Sequence, residues 1–304
     1  MKTITLTSRS LAEEVAKGLD SELLFFNYGS HGDKELSLSY NGNINVVAGE
    51  EFLIIQSTYP DDQHKMFDAL AALPPYLKRN GAIKVYEFIP YLAFLSQSEI
   101  HLKYNEVPIA ESKLRQFNGR DTNKHLYLDG LFVVNPHDAK TLATYCAPFR
   151  KILDDTELIA NELNKFDIGD AAVIAPDENA LNQAVALARR LGVPYGSFYK
   201  KRISESQVQV VAKGRIPKAS TYFIRDDTIR GGTTISEVAK KLKKKFSPEK
   251  MIAVCSHPIM LEGSVEILTE AGITEIIGTN SIPGPYSRIS VAPLIVSQFS
   301  NPDL

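Results

Sequence analysis

Short apolar runs alternate with amphipathic helical stretches along the whole of this chain, and that alternation constrains its fold more than any single motif does. Strands are predicted at Thr3–Thr7, Glu35–Tyr40, Glu51–Gln56, Ile83–Ile89, Gly130–Val134, Ala171–Ala175, Ser220–Ile224, Met251–Cys255 and Glu275–Gly278. Helices are predicted at Leu11–Gly18, Gln63–Arg79, Asp154–Leu163, Asn179–Leu191, Ile235–Lys245 and Ser264–Ala271. Strand and helix alternating at this spacing give parallel sheets covered on both faces. At 304 residues the chain exceeds one comfortable core, and the pattern runs through twice, with a break near 145–153. The expectation is an α/β protein of two doubly wound parallel-sheet domains, 1–147 and 148–304, the last strand packing back on the N-terminal domain. In such open sheets ligands bind beyond the carboxyl ends of the strands, so the residues just after each strand matter most.

Composition excludes several classes. A hydrophobic content of 44% with 23% charged residues suffices for large cores. A formal net charge of −2 offers no global attraction to nucleic acid or an anionic membrane. The basic run Lys240–Lys245 falls on a predicted helix and reads as a solvated face. Of the two cysteines, Cys255 has His257 nearby, but no further Cys or His completes a metal site. Neither a disulfide scaffold nor a zinc site is expected, and a reducing compartment is. Met1–Leu6 reads as a strand and not a signal peptide, and no apolar run approaches the ~18 residues of a membrane span. A soluble cytoplasmic protein with no membrane or nucleic-acid partner is expected.

The segment richest in chemistry is Thr221–Ile235, Thr-Tyr-Phe-Ile-Arg-Asp-Asp-Thr-Ile-Arg-Gly-Gly-Thr-Thr-Ile. An apolar strand runs into two adjacent carboxylates, then a Gly-Gly-Thr-Thr turn, then an amphipathic helix. Asp226 and Asp227 can accept hydrogen bonds from a vicinal diol such as the ribose 2- and 3-hydroxyls. Gly231 and Gly232 let backbone N–H groups converge on an anion, and the helix N-terminus adds its dipole. Thr233 and Thr234 can donate hydroxyl hydrogen bonds to phosphate oxygens. The bland alternative is an Asp-rich turn with an ordinary helix cap.

This arrangement resembles the ribose-phosphate loop of type I phosphoribosyltransferases and of phosphoribosyl pyrophosphate synthetases. The rest of the chain favours the synthetases. Phe52–Thr58 is similar to their segment ending Gln-Ser-Thr, and Asp33-Lys34-Glu35 to their Asp-Gly-Glu nucleotide segment. Pro90-Tyr91, Gln97 and Pro108-Ile109 resemble Pro-Tyr, Arg-Gln-Asp and Pro-Ile; Val133–His137 lies where the family has Val-Asp-Leu-His. Pro176-Asp177 resembles the Pro-Asp-Gly-Gly loop, Lys200-Lys201-Arg202 the mobile basic loop, and Thr279-Asn280 a late Thr-Asp.

The resemblance implies two type I phosphoribosyltransferase-like domains and transfer of the β,γ-diphosphate of ATP to the C1 hydroxyl of a ribose 5-phosphate moiety, releasing AMP. It implies that His137 and Asp177 hold Mg2+ with ATP, and that Asp33, Glu35 and Gln97 contact ATP, the first two across a subunit boundary. Lys200 and Arg202, in a polar, strand-poor stretch (Tyr199 to Ser206), would stabilise the transferring diphosphate, with His137 also at the catalytic centre. Asp226, Asp227, Arg230, Gly231, Gly232, Thr233 and Thr234 would bind the ribose phosphate. Small-molecule substrates and a homo-oligomer are expected.

Departures from the family pattern cluster at the site. Arg-Gln-Asp becomes Ser96-Gln97-Ser98, Pro-Asp-Gly-Gly becomes Pro176-Asp177-Glu178-Asn179, and the acid before His137 becomes Asn135. In the ribose-phosphate turn Arg230 precedes Gly231, which stands where the family has Thr. Changed glycines mean a changed approach of phosphate to backbone. Three readings follow: an ordinary synthetase, a diphosphokinase for a 5-substituted acceptor such as ADP-ribose, and a non-catalytic nucleotide-binding subunit that modulates a synthetase.

Overall fold

Asp154 and Asp155 divide the chain in its computed structural model, which describes residues 1–97, 107–202 and 208–300. One unit is Met1–Asp154 with Val291–Leu304; the other is Asp155–Ser290.

The first unit runs β1 (Lys2–Thr5), α1 (Arg9–Gly18), β2 (Leu23–Phe25), β3 (Asn27–Ser30), β4 (Leu36–Ser39), β5 (Glu51–Ile55), α2 (Gln63–Arg79), β6 (Lys84–Ile89), α3 (Ile109–Leu114), β7 (Gly130–Val134), α4 (Ala139–Tyr145) and β8 (Phe149–Leu153). Six strands form a parallel sheet in the order β2-β1-β5-β6-β7-β8. The apolar runs of β5 and β7 are buried on both faces, as parallel strands under helical crossovers require. Helix α2 buries Met66, Phe67, Leu70, Leu73 and Leu77, while α1 packs Leu11 and Val15 in one cluster with Leu53, Phe88, Phe132 and Ile295. Burial contributes roughly 1.5–3 kcal/mol for each such large side chain.

Three expectations are corrected here. The division expected at 147/148 moves to 154/155, because Phe149–Leu153 joins the first sheet alongside β7. The end of the chain that belongs with the first unit is a helix, Ala292–Phe299, and not a strand. Its Phe299 ring packs 5.2 Å from Tyr86 and 5.4 Å from Phe132, and its Val296 leaves no room for a side chain on Gly18, where a Cβ would stand 2.7 Å away. The strand expected at Glu35–Tyr40 shortens to β4 and pairs antiparallel with β3, outside the parallel sheet. Its side chains are only partly buried, so no helix-covered face calls for it.

The second unit runs α5 (Thr156–Leu163), β9 (Ala171–Ala175), α6 (Leu181–Leu191), β10 (Tyr195–Arg202), β11 (Val208–Lys213), β12 (Thr221–Ile229), α7 (Thr233–Phe246), β13 (Lys250–Pro258), α8 (Ser264–Glu270), β14 (Glu275–Thr279) and β15 (Ser287–Ile289). Its seven-stranded sheet has the order β11-β10-β9-β12-β13-β14-β15, parallel except for the β10–β11 hairpin. Phe223, Val254 and Ile277 face α5 and α6, and Tyr222, Ile224 and Ala253 face α7 and α8. The last helix is thereby assigned away from this unit, and the two sheets have separate cores.

Candidate functional site

The acid pair lies on an overhang. Strand β12 pairs with β9 only from Thr221 to Ile224, whereas on its other side it stays paired with β13 as far as Ile229. The expectation that the strand ends at Ile224 is corrected: Asp226 and Asp227 sit within β12, past the end of its β9 neighbour. The strand continues because β13 is equally long, its residues through Pro258 being buried. This leaves the acids above the carboxyl end of β9, where the chain turns through Pro176 and Asp177.

Asp226 is held well above the usual carboxylate range. Enclosure by the surrounding chain is the largest cause, followed by the charges of Asp227 and Asp177. Asp226 Oδ1 also accepts the N–H of Asp227 at 2.9 Å. Three carboxyl groups therefore crowd one region, and like charges at short range resist simultaneous ionisation.

Lys200 answers part of that charge. Its Nζ is 3.0 Å from Asp177 Oδ2. Asp177 Oδ1 accepts the N–H groups of Asn179 at 3.1 Å and Ala180 at 3.3 Å, which shapes the loop after β9 without glycines. Beside it Lys213 Nζ lies 3.2 Å from Glu178 Oε1. Lys200 was expected in a strand-poor stretch; instead it sits within β10, opposite Val210 of β11. The stretch Tyr195–Arg202 alternates well enough to form a hairpin with Val208–Lys213, and hairpin pairing overrides its polar composition. Residues 203–206 of the expected loop lie outside the described residues, as does the side chain of Arg202.

Downstream of the acids, exposed Arg230 leads into the turn. Gly232 takes the left-handed φ of 73° immediately before α7, and a Cβ there would stand 2.8 Å from buried Leu268 Cγ. No other residue type fits without strain. At the half-buried Gly231 a Cβ would meet nothing closer than Thr233 Oγ1 at 3.9 Å, and Thr233 and Thr234 start the helix. A helix start leaves backbone N–H groups without helical partners, a ready anion site.

In the first unit His137 is exposed in the turn after β7, next to Asp138, which caps α4 by accepting the N–H of Thr141 at 2.8 Å. Gln97 is exposed in a short turn after β6, and Ser98 lies outside the described residues. Both therefore follow carboxyl ends of strands. Asp33 and Glu35 lie at the exposed turn between β3 and β4, with Asp33 Oδ1 accepting the Glu35 N–H at 3.1 Å. Gln56 turns out to brace the fold: its Oε1 accepts the N–H of Leu6, Thr7 and Ser8 at 3.2, 2.8 and 3.2 Å.

Sequence reasoning passed over a buried polar network beneath the acid pair. Arg225, 1% exposed, donates to Asp155 Oδ1 at 3.0 Å, to Ser256 Oγ at 2.8 Å and to the carbonyl of Asp226. The Ser256 carbonyl accepts from Thr279 Oγ1 and Ser281 Oγ, and Ser281 Oγ is 2.9 Å from His257 Nδ1. The available signal was an arginine inside an otherwise apolar strand. Cys255 is buried, its thiol pushed up by burial, and no His/Cys/Asp/Glu metal cluster occurs among the described residues. Mg2+ characteristically rests on one or two protein carboxylates and completes its octahedron with phosphate oxygens and water. A single hard donor such as Asp177 fits that habit.

A doubly wound sheet with helices on both faces, carrying an acid pair and a glycine-led helix at one strand end, places the second unit among α/β domains of the phosphoribosyl transferase kind. Residues 151–275 match the phosphoribosyl transferase domain, and residues 1–116 match the N-terminal domain of ribose phosphate pyrophosphokinase. The chain is 33% identical over 249 residues to a ribose-phosphate pyrophosphokinase of Pyrococcus furiosus, covering 82% of this chain and 85% of that one. To the enzyme of Pyrococcus abyssi it is 32% identical over 248 residues, 82% of each. The fold superimposes on phosphoribosylpyrophosphate synthetase from Mycobacterium smegmatis with a TM-score of 0.80 at 21% identity, over 98% of this chain and 97% of that one. The chain belongs to the ribose-phosphate pyrophosphokinase family of enzymes. Among the described residues no helix is long and apolar enough to cross a membrane.

Proposed function

We propose that this protein transfers the β,γ-diphosphate of magnesium–ATP to the C1 hydroxyl of a ribose 5-phosphate moiety and releases AMP. The observation that carries this reading is the convergence of Lys200, Asp177 and the Asp226–Asp227 pair at one end of one sheet. Asp226 and Asp227 accept hydrogen bonds from the ribose 2- and 3-hydroxyls, fixing the sugar with C1 presented. Gly231, Gly232, Thr233 and Thr234 hold the 5-phosphate on the start of α7. Lys200 and Arg202 stabilise the transferring diphosphate, because a transfer between polyanions depends on positioning and charge neutralisation. Asp33, Glu35, Gln97 and His137 take the ATP side, and the protein works as a cytoplasmic homo-oligomer. Asp177 and His137 would hold Mg2+, which when bound neutralises charge on the ATP phosphates.

The acceptor is ribose 5-phosphate or a 5-substituted relative such as ADP-ribose. The exposed Arg230, and the uncrowded Gly231 beside it where a Cβ would meet nothing closer than Thr233 Oγ1 at 3.9 Å, favour a second phosphate there. The test is to incubate the protein with magnesium–ATP and either acceptor and to follow AMP. Release with ADP-ribose alone selects the 5-substituted acceptor, and release with ribose 5-phosphate alone selects the ordinary synthetase. ATP binding without AMP from either acceptor would sink the catalytic reading in favour of a regulatory subunit.

A further inference from the structure

The overhang that carries Asp226 and Asp227 poses a mechanical problem. From Arg225 onward, β12 has lost β9 as a neighbour and is paired on one side only. A half-paired strand end frays more readily than the strand behind it, yet these acids must hold a diol to within a fraction of an ångström. Arg225 stands at the first unsupported position. Its side chain lies on the face of β12 toward α5 and is 1% exposed, with no access to any ligand.

We infer that Arg225 is a positioning residue for the acid pair, a brace that replaces the missing β9 pairing. The inference rests on the functional reading above. Three bonds make the brace. One goes to the carbonyl of Asp226 on the overhang itself, one to Ser256 Oγ on β13, and one to Asp155 Oδ1 just before α5. The planar guanidinium spans all three at once, which a lysine ammonium on a flexible stem does not. Ser256 is anchored in turn, because its carbonyl accepts the hydroxyls of Thr279 and Ser281. The overhang is thus tied to α5, β13 and the end of β14.

Geometry separates bracing from charge neutralisation. The Arg225 charge is met by Asp155, which is fully buried. Side chains alternate across a strand, so Arg225 and Asp226 point to opposite faces. The arginine acts on the Asp226 backbone.

The test uses the full-length protein. In the wild type, native hydrogen exchange at Asp227 and Thr228 should be protected to within about tenfold of Phe223 and Ile224; free exchange confined to the overhang overturns the brace without any variant. Arg225→Met leaves buried Asp155 without its cation and can unfold the chain, so it is paired with Asp155→Leu, which restores a neutral core. In the double variant the acceptor Kd by titration calorimetry should rise by about 10²-fold, the scale of a 1 Å misplacement, with ATP binding unchanged. Arg225→Lys should recover part of the loss. A lower Tm with an unchanged acceptor Kd makes the arginine merely structural and overturns the inference. A wild type that binds neither ribose 5-phosphate nor ADP-ribose fails the functional reading instead, and the exchange experiment then decides the brace by itself.

Discussion

Lys200 Nζ lies 3.0 Å from Asp177 Oδ2, so the β10–β11 hairpin is latched by this lysine to the loop after β9. The contact is half-exposed, with the lysine side chain 48% accessible, and an ion pair of that kind stabilises by about 1 kcal/mol or less. It can therefore open without much cost when a polyanionic substrate competes for the lysine.

Replacing Lys200 separates the latch from the role proposed for it in transfer. Lys200→Ala should change Tm by no more than a degree or two, because the latch is weak. Turnover should fall by about 10²-fold or more, the usual scale for one preorganised donor on developing charge, while ATP binding persists. Stopped AMP release beside calorimetric ATP titration measures both. Unchanged turnover removes Lys200 from the mechanism.

Asp226→Asn should raise Tm and abolish acceptor binding together. The carboxyl is enclosed and faces the charges of Asp227 and Asp177, so the free protein gains when one of the three is made neutral. The same change puts an amide N–H₂, a donor only, in place of one of the oxygens that would accept from the diol. A thermal melt and an acceptor titration check the two halves; a lower Tm contradicts the first.

Glu87 supplies a pH dependence remote from the acid pair. It is fully buried in β6, and neither carboxyl oxygen has a hydrogen-bond partner among the described residues. Burial alone raises it well above the ordinary carboxylate range. Below that range both folded and unfolded chains hold the proton and Glu87 costs no linkage energy. As pH rises from the ordinary carboxylate range toward the folded value, only the unfolded chain releases its proton, so stability falls across that window and then levels. Glu87→Gln should flatten this decline, seen as a Tm advantage over wild type that grows from about pH 4 to pH 7. A constant gap counts against the assignment.

Gly232→Ala should destabilise by about 1–3 kcal/mol, since φ is 73° and the new Cβ meets buried Leu268 at 2.8 Å. Gly192→Ala, also at positive φ but with open space around it, should cost less. Urea melts compare them. Gly232→Ala should in addition weaken acceptor binding, and Gly192→Ala should not.

The elements along the chain were readable from local pattern wherever an apolar run was long enough to be buried on both faces, as in Glu51–Ile55 and Ala171–Ala175. Local pattern failed where partners decided. Tyr199–Ser206 reads as a polar, strand-poor stretch, yet its Tyr199–Arg202 part pairs with Val208–Val211, and Phe149–Leu153 is mostly exposed, so its apolar signal is faint. The chain's last helix is apolar enough to be seen as an element, but nothing local says which sheet it covers.

The Asp-Asp pair and the Gly-Gly-Thr-Thr turn were legible from residues 221–235 alone, because an acid pair, glycines and a helix start within one short segment have few other uses. What only the tertiary structure decided is that β12 outruns β9, that Asp177 and Lys200 meet beside the acids, and that Arg225 ties the overhang to Asp155 and Ser256. Strand lengths relative to neighbours, and contacts between residues 23, 31 or 70 positions apart, come from pairing across the sheet. Local periodicity carries no information about either.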